Sequence, residues 1–391
     1  MSAAGEVAAN TAPRILIVRV GAMGDVLHAL PAVAKLREAL PEAHLGWAVE
    51  PRWAPLLRAE GATARDPDRM PLVDAVHLVE AKQWNKRPLS LETARSIAAL
   101  RRGFRGSRYD LAIDLQGTLR SAVIARMSGA RYVVGSATPR ERIARHLYRS
   151  RVPLRSIHVT DQAWELIESA MRTARDVDGN TASTGTEEEH RSAKQGGIAV
   201  LPRDAAAEAW WGERRGALYG DRGPVLLAAT AGWGAKEWPP ARFAELAIEL
   251  AASGYCVLLN TAPGEADPVT LQTVLLSRDR DRALSWNVVT LPATLPQLIA
   301  ATREVKAVIA GDTGPLHLAA ALGVPAVGLF GPTAPERTGP RHARAVNLRD
   351  PSSKTDHRRH RQTEAGLAQL SVEAVLDAFH AVVRSAQSTE G

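Results

Sequence analysis

Residues 14–36 read RILIVRVGAMGDVLHALPAVAKL, and this stretch decides the fold. Ile15 to Val20 is a short run rich in β-branched residues, the pattern of a buried strand. The small-residue loop Gly21-Ala22-Met23-Gly24 follows, and then Val26, Leu27, Leu30, Val33 and Leu36 recur at helical spacing. Strand, loop and helix in that order open a doubly wound α/β domain. The alternation continues outward. Leu45 to Val49 and Leu111 to Leu115 read as strands, the second leading into a helix through Ala122 and Ile124.

From about Arg172 to Gly197 the pattern stops in DVDGNTASTGTEEEHRSAKQGG, which has too few apolar residues to order itself and reads as a flexible linker or an insertion near a domain boundary. It then restarts. Val225–Ala229, Cys256–Leu259, Val305–Ala310 and Ala326–Phe330 read as strands. Pro239-Pro240 opens a helix that Gly254 can cap, and Pro315–Leu322 is a short helix capped by Gly323. Leu370–Ala386 is a final helix with Ser371 at its N-cap and Val372, Val375, Leu376, Phe379 and Val382 as its apolar stripe. The expected organisation is a first α/β domain over 1–180, a linker over 181–198, a second α/β domain over 199–370 and a C-terminal helix over 371–391.

Composition narrows the function classes. The 391 residues are 45% apolar and 23% charged, a globular balance that excludes disorder, collagen and coiled coil. No run approaches a membrane-spanning length, and the first residues show no secretory pattern. Cys256 is the single cysteine, so neither an intrachain disulfide nor a cysteine metal cage is available, and a reducing compartment is expected. The net charge of +7 suggests an anionic partner. The charge concentrates between Arg101 and Arg155, where thirteen arginines face three acids, Asp110, Asp114 and Glu141.

Three loops at strand ends qualify as sites, because ligands of such sheets lie where loops meet helix N-termini. The first, Gly21 to His28, offers Asp25, which reads either as a helix cap or as a base for a sugar hydroxyl. The second, Thr230 to Pro239, offers Lys236, either solvated or a point charge for a diphosphate. The third, Ala310 to His317, offers Asp312 and Thr313 as caps, the amides of Thr313, Gly314 and Leu316 as an anion site, and His317, either a core histidine or a phosphate neighbour. The dinucleotide fingerprint, a Walker sequence and a nucleophile elbow are all missing. The Asp-x-Asp triplets and scattered histidines lie in polar stretches, so no metal site is expected.

ILIVRVGAMGDVLHALPAVAKLREALP, DLAIDLQGTLRSAVIAR, AGWGAKEWPPARFAELA, VIAGDTGPLHLAAALGVPAVGLFGPTAPERTGP and the closing Ser353/His357/Arg359 stretch resemble the lipopolysaccharide heptosyltransferases, heptosyltransferase I most closely. The resemblance runs from about Arg14 to Phe379. It implies the GT-B fold, two Rossmann-like domains facing across a cleft, and inverting transfer without a metal or other cofactor. The implied donor is ADP-L-glycero-β-D-manno-heptose and the implied acceptor a Kdo residue of Kdo2-lipid A. Asp25 falls on the family's base and Lys236 on its diphosphate lysine. Asp312, Thr313, Gly314 and His317 fall on its donor loop, and Glu265 on a ribose contact. Thr230 joins the donor set. Arg120, Arg140 and Arg142 are the expected acceptor contacts. The implied location is the cytoplasmic face of the inner membrane, with peripheral contact to anionic lipid and no nucleic-acid partner.

Three departures stand out. Gly21-Ala22 replaces the family's common Ser-Ser, the loop from Thr230 to Lys236 is about two residues longer, and the linker has no counterpart. A relative that glycosylates another glycan or a protein is the alternative. A nucleic-acid-binding protein, motivated by the charge alone, is a distant one.

Overall fold

Strand β1 (Arg14–Val18) lies inside a parallel sheet with β2 (His44–Val49), β3 (Ala75–Leu78), β4 (Leu111–Asp114), β5 (Tyr132–Ser136) and β6 (Ser150–Val152). Their spatial order is β3-β2-β1-β4-β5-β6, and every pairing is parallel. A second parallel sheet holds β7 (Pro224–Ala228), β8 (Cys256–Thr261), β9 (Val288–Pro292), β10 (Ala307–Gly311), β11 (Ala326–Phe330) and β12 (Ala345–Arg349). Its order is β12-β11-β10-β7-β8-β9. Numbered from its own first strand, each sheet runs 3-2-1-4-5-6, the Rossmann order. This computed structural model describes residues 12–177, 200–218, 221–264, 269–270, 273, 287–356, 358 and 360–390. The expected linker and Glu265 lie outside the described residues.

Helices cover both faces. In the first half these are α1 (Met23–Ala39), α2 (Ala81–Lys86), α3 (Leu91–Ser107), α4 (Leu119–Met127) and α5 (Val159–Val177). The second half carries α6 (Ala205–Arg215), α7 (Pro240–Ala252), α8 (Leu295–Thr302), α9 (Gly314–Leu322), α10 (Pro335–Thr338) and α11 (Val372–Glu390). Short side-chain caps set several starts: Ser90 accepts from the Thr93 amide, Thr118 from Ser121 and Asp204 from Ala207. Gly254 and Gly323 take φ of 87° and 69°, as their expected capping roles require. The stripe of α11, with Val375, Phe379 and Val382, is buried in the core of the second half.

The two halves touch. His158 Nε2 donates to the Gly339 carbonyl at 3.1 Å, and Arg341 makes a two-pronged pair with Asp161 at 2.8 and 2.7 Å. In each sheet the strand order reverses beside the first strand, between β1 and β4 and between β7 and β10. The loops after β1, β7 and β10 therefore open at those two switch points. Among the described residues no helix is long and apolar enough to cross a membrane.

Candidate active site

The loop after β1 turns straight into α1, whose N-cap is Ala22 rather than Asp25. Asp25 sits three residues on, and its Oδ2 accepts the Ala22 amide at 3.1 Å. Its Oδ1 meets Arg19 Nη2 at 2.8 Å, and the carboxylate side chain remains 38% exposed. Asp25 thus bonds the N-cap amide from the N3 position while its carboxylate stays accessible. Arg19, the residue after β1, also donates to the Leu115 carbonyl, while Gln116 Oε1 accepts the Val20 amide at 2.8 Å. These bonds tie the Asp25 loop to the turn after β4.

Across the cleft, Asp312 is buried, with 4% of its side chain exposed. Lys236 Nζ donates to its Oδ2 at 2.6 Å and to its carbonyl at 3.1 Å, and His317 Nε2 donates to its Oδ1 at 2.9 Å. Burial alone would raise the carboxyl pKa. The His317 bond and the Lys236 charge outweigh it and hold the group well below the ordinary range. The expected capping by Asp312 and Thr313 does not occur. Thr313 is the N-cap by position, but its hydroxyl turns to the Gly311 carbonyl at 3.2 Å, and Asp312 points to Lys236 and His317. A charge-assisted bond contributes about 1.5–3 kcal/mol and a cap about 1, so a buried carboxylate within reach of the Lys236 ammonium and the His317 ring N–H takes them.

Lys236 ends a 3-10 turn, Gly234–Lys236, and lies over the Trp233 ring at 5.2 Å. The ammonium has three protons, and with two given to Asp312 one is left for a ligand. Thr230 is half-buried two residues past β7. Trp238 is fully buried with its Nε1 on the Leu370 carbonyl, a packing role.

The first turns of α1 and α9 meet face to face. A Cβ on Gly24 would stand 2.7 Å from His317 Cδ2, and one on Gly314 would collide with Met23 Sδ. Only glycine at both positions permits this approach. His28 adds its ring 4.3 Å from that of His317 and 5.8 Å from that of His158. Burial first, then the neighbouring His317 and His158, hold His28 well below its usual pKa, and burial brings His158 down to about 4.

Arg120, Arg140 and Arg142 lie exposed beyond the ends of β4 and β5. Arg120 donates to Asn85 Oδ1 at 3.1 Å, and the Leu119 amide donates to Glu141 Oε2 at 2.8 Å, so α2, α4 and the turn Arg142–Leu147 form one rim. Asp114 holds that rim in place: buried, with its pKa raised by burial, it accepts from Tyr148 at 2.7 Å, Ser121 at 2.9 Å and the amides of Gln116 and Gly117. Arg19, His28, His158 and Arg341 escaped the sequence reading. Only Arg19 carried a signal, a charge interrupting the apolar run from Ile15 to Val20.

The family model for glycosyltransferase family 9 (heptosyltransferase) matches residues 97–368. The chain belongs to glycosyltransferase family 9. Within it, the chain is similar to lipopolysaccharide heptosyltransferase 1 of Pseudomonas aeruginosa, 29% identical over 334 residues that cover 83% of this chain and 81% of the relative. The Salmonella typhimurium enzyme of the same name is 29% identical over 331 residues, 83% of this chain and 90% of that one. Among solved structures, the E. coli heptosyltransferase WaaC with ADP superposes with a TM-score of 0.69 at 25% identity, covering 94% of this chain and 99% of that one. The family-9 fold is GT-B, as the two facing parallel sheets show.

Proposed function

We propose that this family-9 glycosyltransferase moves heptose from ADP-L-glycero-β-D-manno-heptose to a Kdo residue of Kdo2-lipid A in lipopolysaccharide core biosynthesis, with inversion and without a metal. The observation that carries the reading is the opposition of two carboxylate loops across one cleft. An accessible Asp25 stands on the first half, and a locked Asp312–Lys236–His317 group stands on the second. The similarity to an enzyme solved with ADP supports the nucleotide.

In this scheme an acceptor hydroxyl oxygen bonds to the anomeric carbon while the bond from that carbon to the β-phosphate oxygen breaks. The hydroxyl proton passes to Asp25 and ADP departs with the electron pair. Arg19 and the Ala22 amide keep Asp25 aimed before the proton arrives. The remaining Lys236 proton and the first-turn amides of Thr313 and Gly314 receive the charge that develops on the diphosphate. Asp312 orients Lys236, His317 stands behind Asp312, and Thr230 and Glu265 complete the donor set.

Arg120, Arg140 and Arg142 take the acceptor's phosphates and carboxylates. The same rim exposes Leu89 at 99%, Leu91 at 77% and Ile143 at 58% beside Lys82, Lys86 and Arg87. Apolar tips among cations suit an anionic bilayer surface, so the enzyme works peripherally on the cytoplasmic face of the inner membrane.

Calorimetric titration with ADP-heptose, GDP-mannose and UDP-sugars tests the donor. NMR of the product formed on Kdo2-lipid A in EDTA tests inversion and metal independence. Selective ADP-heptose binding and an inverted linkage made at full rate in EDTA are expected. Preference for another nucleotide, a retained linkage or loss of transfer on chelation would overturn the corresponding part.

A further inference from the structure

The mechanism above leaves one cluster unused. His28 Nε2 and His317 Nδ1 are both buried without a hydrogen-bond partner among the described residues. Both rings line a small pocket, about 50 Å³, where α1 meets α9. Gly24 and His28 are four residues apart and lie on one face of α1. They bracket the His317 ring, Gly24 against Cδ2 and His28 at 4.3 Å with the planes tilted by 55°. Asp25 belongs to the same helical turn as Gly24.

We propose that His28 is a positioning residue: its ring seats His317 from across the cleft, fixes the His317–Asp312 bond, and so couples the donor loop to the helix that carries Asp25. This rests on the functional reading above for its effect on turnover, but not for its effect on His317. The contact is ring packing. No donor or acceptor in the described structure reaches His28 Nε2, and burial among other imidazoles disfavours a charge there. His317 needs such a seat because only its Nε2 is bonded, and a ring held at one atom can turn. If it turns, Asp312 keeps Lys236 alone and the ammonium loses its aim. Small misplacements of charged groups at a reacting centre cost large factors in rate.

Nitrogen-15 NMR of the histidine-labelled full chain provides a readout that simple destabilisation does not move. The signals of His317, identified by their loss in His317→Gln, should show a single Nε2-protonated tautomer in the wild type. In His28→Ala they should shift toward tautomer averaging, and kcat for heptose transfer should fall about tenfold, a kcat effect rather than a donor KM effect. His28→Phe, which keeps a flat ring, should stay within about threefold of wild type, whereas His28→Gln should match His28→Ala. Should His28→Ala fail to fold, the Phe and Gln variants carry the comparison. Unchanged His317 signals in His28→Ala, or an active Gln variant beside an inactive Phe variant, would overturn the seat. A wild type that transfers no heptose would instead defeat the functional reading, and the nitrogen spectra would still decide the role of His28.

Discussion

Asp25 and Asp312 both stand just past a central strand at a switch point, and their surroundings differ in every respect that matters to a carboxylate. Asp312 is buried, accepts from Lys236 and His317, and is held ionised well below the ordinary range. Asp25 is 38% exposed, has a single cationic neighbour in Arg19, and faces the cleft. A buried carboxylate held ionised far below the ordinary range is a poor proton acceptor but a firm mount for a lysine. One that stays exposed, with a lone pair left on each of its bonded oxygens, can take a proton from a hydroxyl brought to it. On the proposed function, this contrast puts proton transfer in the first half and donor anchoring in the second.

The comparison breaks most visibly at Asp25. Asp25→Asn should lower transfer by about 10²–10⁴-fold, the usual cost of removing a general base. Turnover of the purified variant near the wild-type rate would reduce Asp25 to a capping residue.

Asp312→Asn should act mainly on stability. Removing one partner of a buried ionic group strands the others, here Lys236 and His317, at a cost of about 3–5 kcal/mol. Denaturant titration reads this directly, and an unchanged midpoint would show that the Asp312 cluster is not the mount described.

How much of this was legible follows from the same residues. The strand–loop–helix units at β1, β7 and β10 stood out because their strands are buried on both faces and read as apolar runs. β3, β6, β9 and β12 did not, because they are short edge strands with polar or half-exposed positions. β5 (YVVGS) is interior, but its aliphatic run is only Val133-Val134 before Gly135 and Ser136, so it does not stand out as an apolar run. Asp25, Lys236, Asp312 and His317 were visible as loop residues, yet their partners were not. His28 and His317 are joined by folding alone, as are Asp161 and Arg341, and no local period connects them. The assignment of Asp312 to helix capping failed for a related reason. The donors that draw it away are Lys236, 76 residues upstream, and a histidine whose orientation the sequence does not set.

The interface between the halves should also respond to pH. His158 is held down to about 4, as is the buried His77, and His28 is held below its usual value as well. For a group whose folded pKa lies below its unfolded one, the unfolded chain binds more protons in between, so stability falls as pH falls. Stability should therefore be fully present above about 6.5, the ordinary histidine value, and decline toward the folded values near 4. His158→Asn should flatten that slope. A stability curve level across this window would contradict neutral buried histidines at His77, His158 and His28.

The smallest effect belongs to the basic rim. Reversing Arg140, Arg142 and Arg145 to Glu should raise acceptor KM severalfold and weaken binding to anionic vesicles, with a shallower salt dependence, since screening acts within about 8–10 Å. Arg149 is left out because its guanidinium packs on the Tyr132 ring at 4.8 Å. Unaltered acceptor kinetics and vesicle binding would make the rim ordinary surface.

Calorimetric titration of ADP into wild type, Asp25→Asn and Lys236→Ala, side by side, tests the division between the halves most directly. One charge-assisted contact is worth about 1.5–3 kcal/mol, so Lys236→Ala should bind ADP about tenfold or more weakly, while Asp25→Asn stays within about threefold of wild type. Equal affinity in Lys236→Ala, or a tenfold loss in Asp25→Asn, would contradict the account.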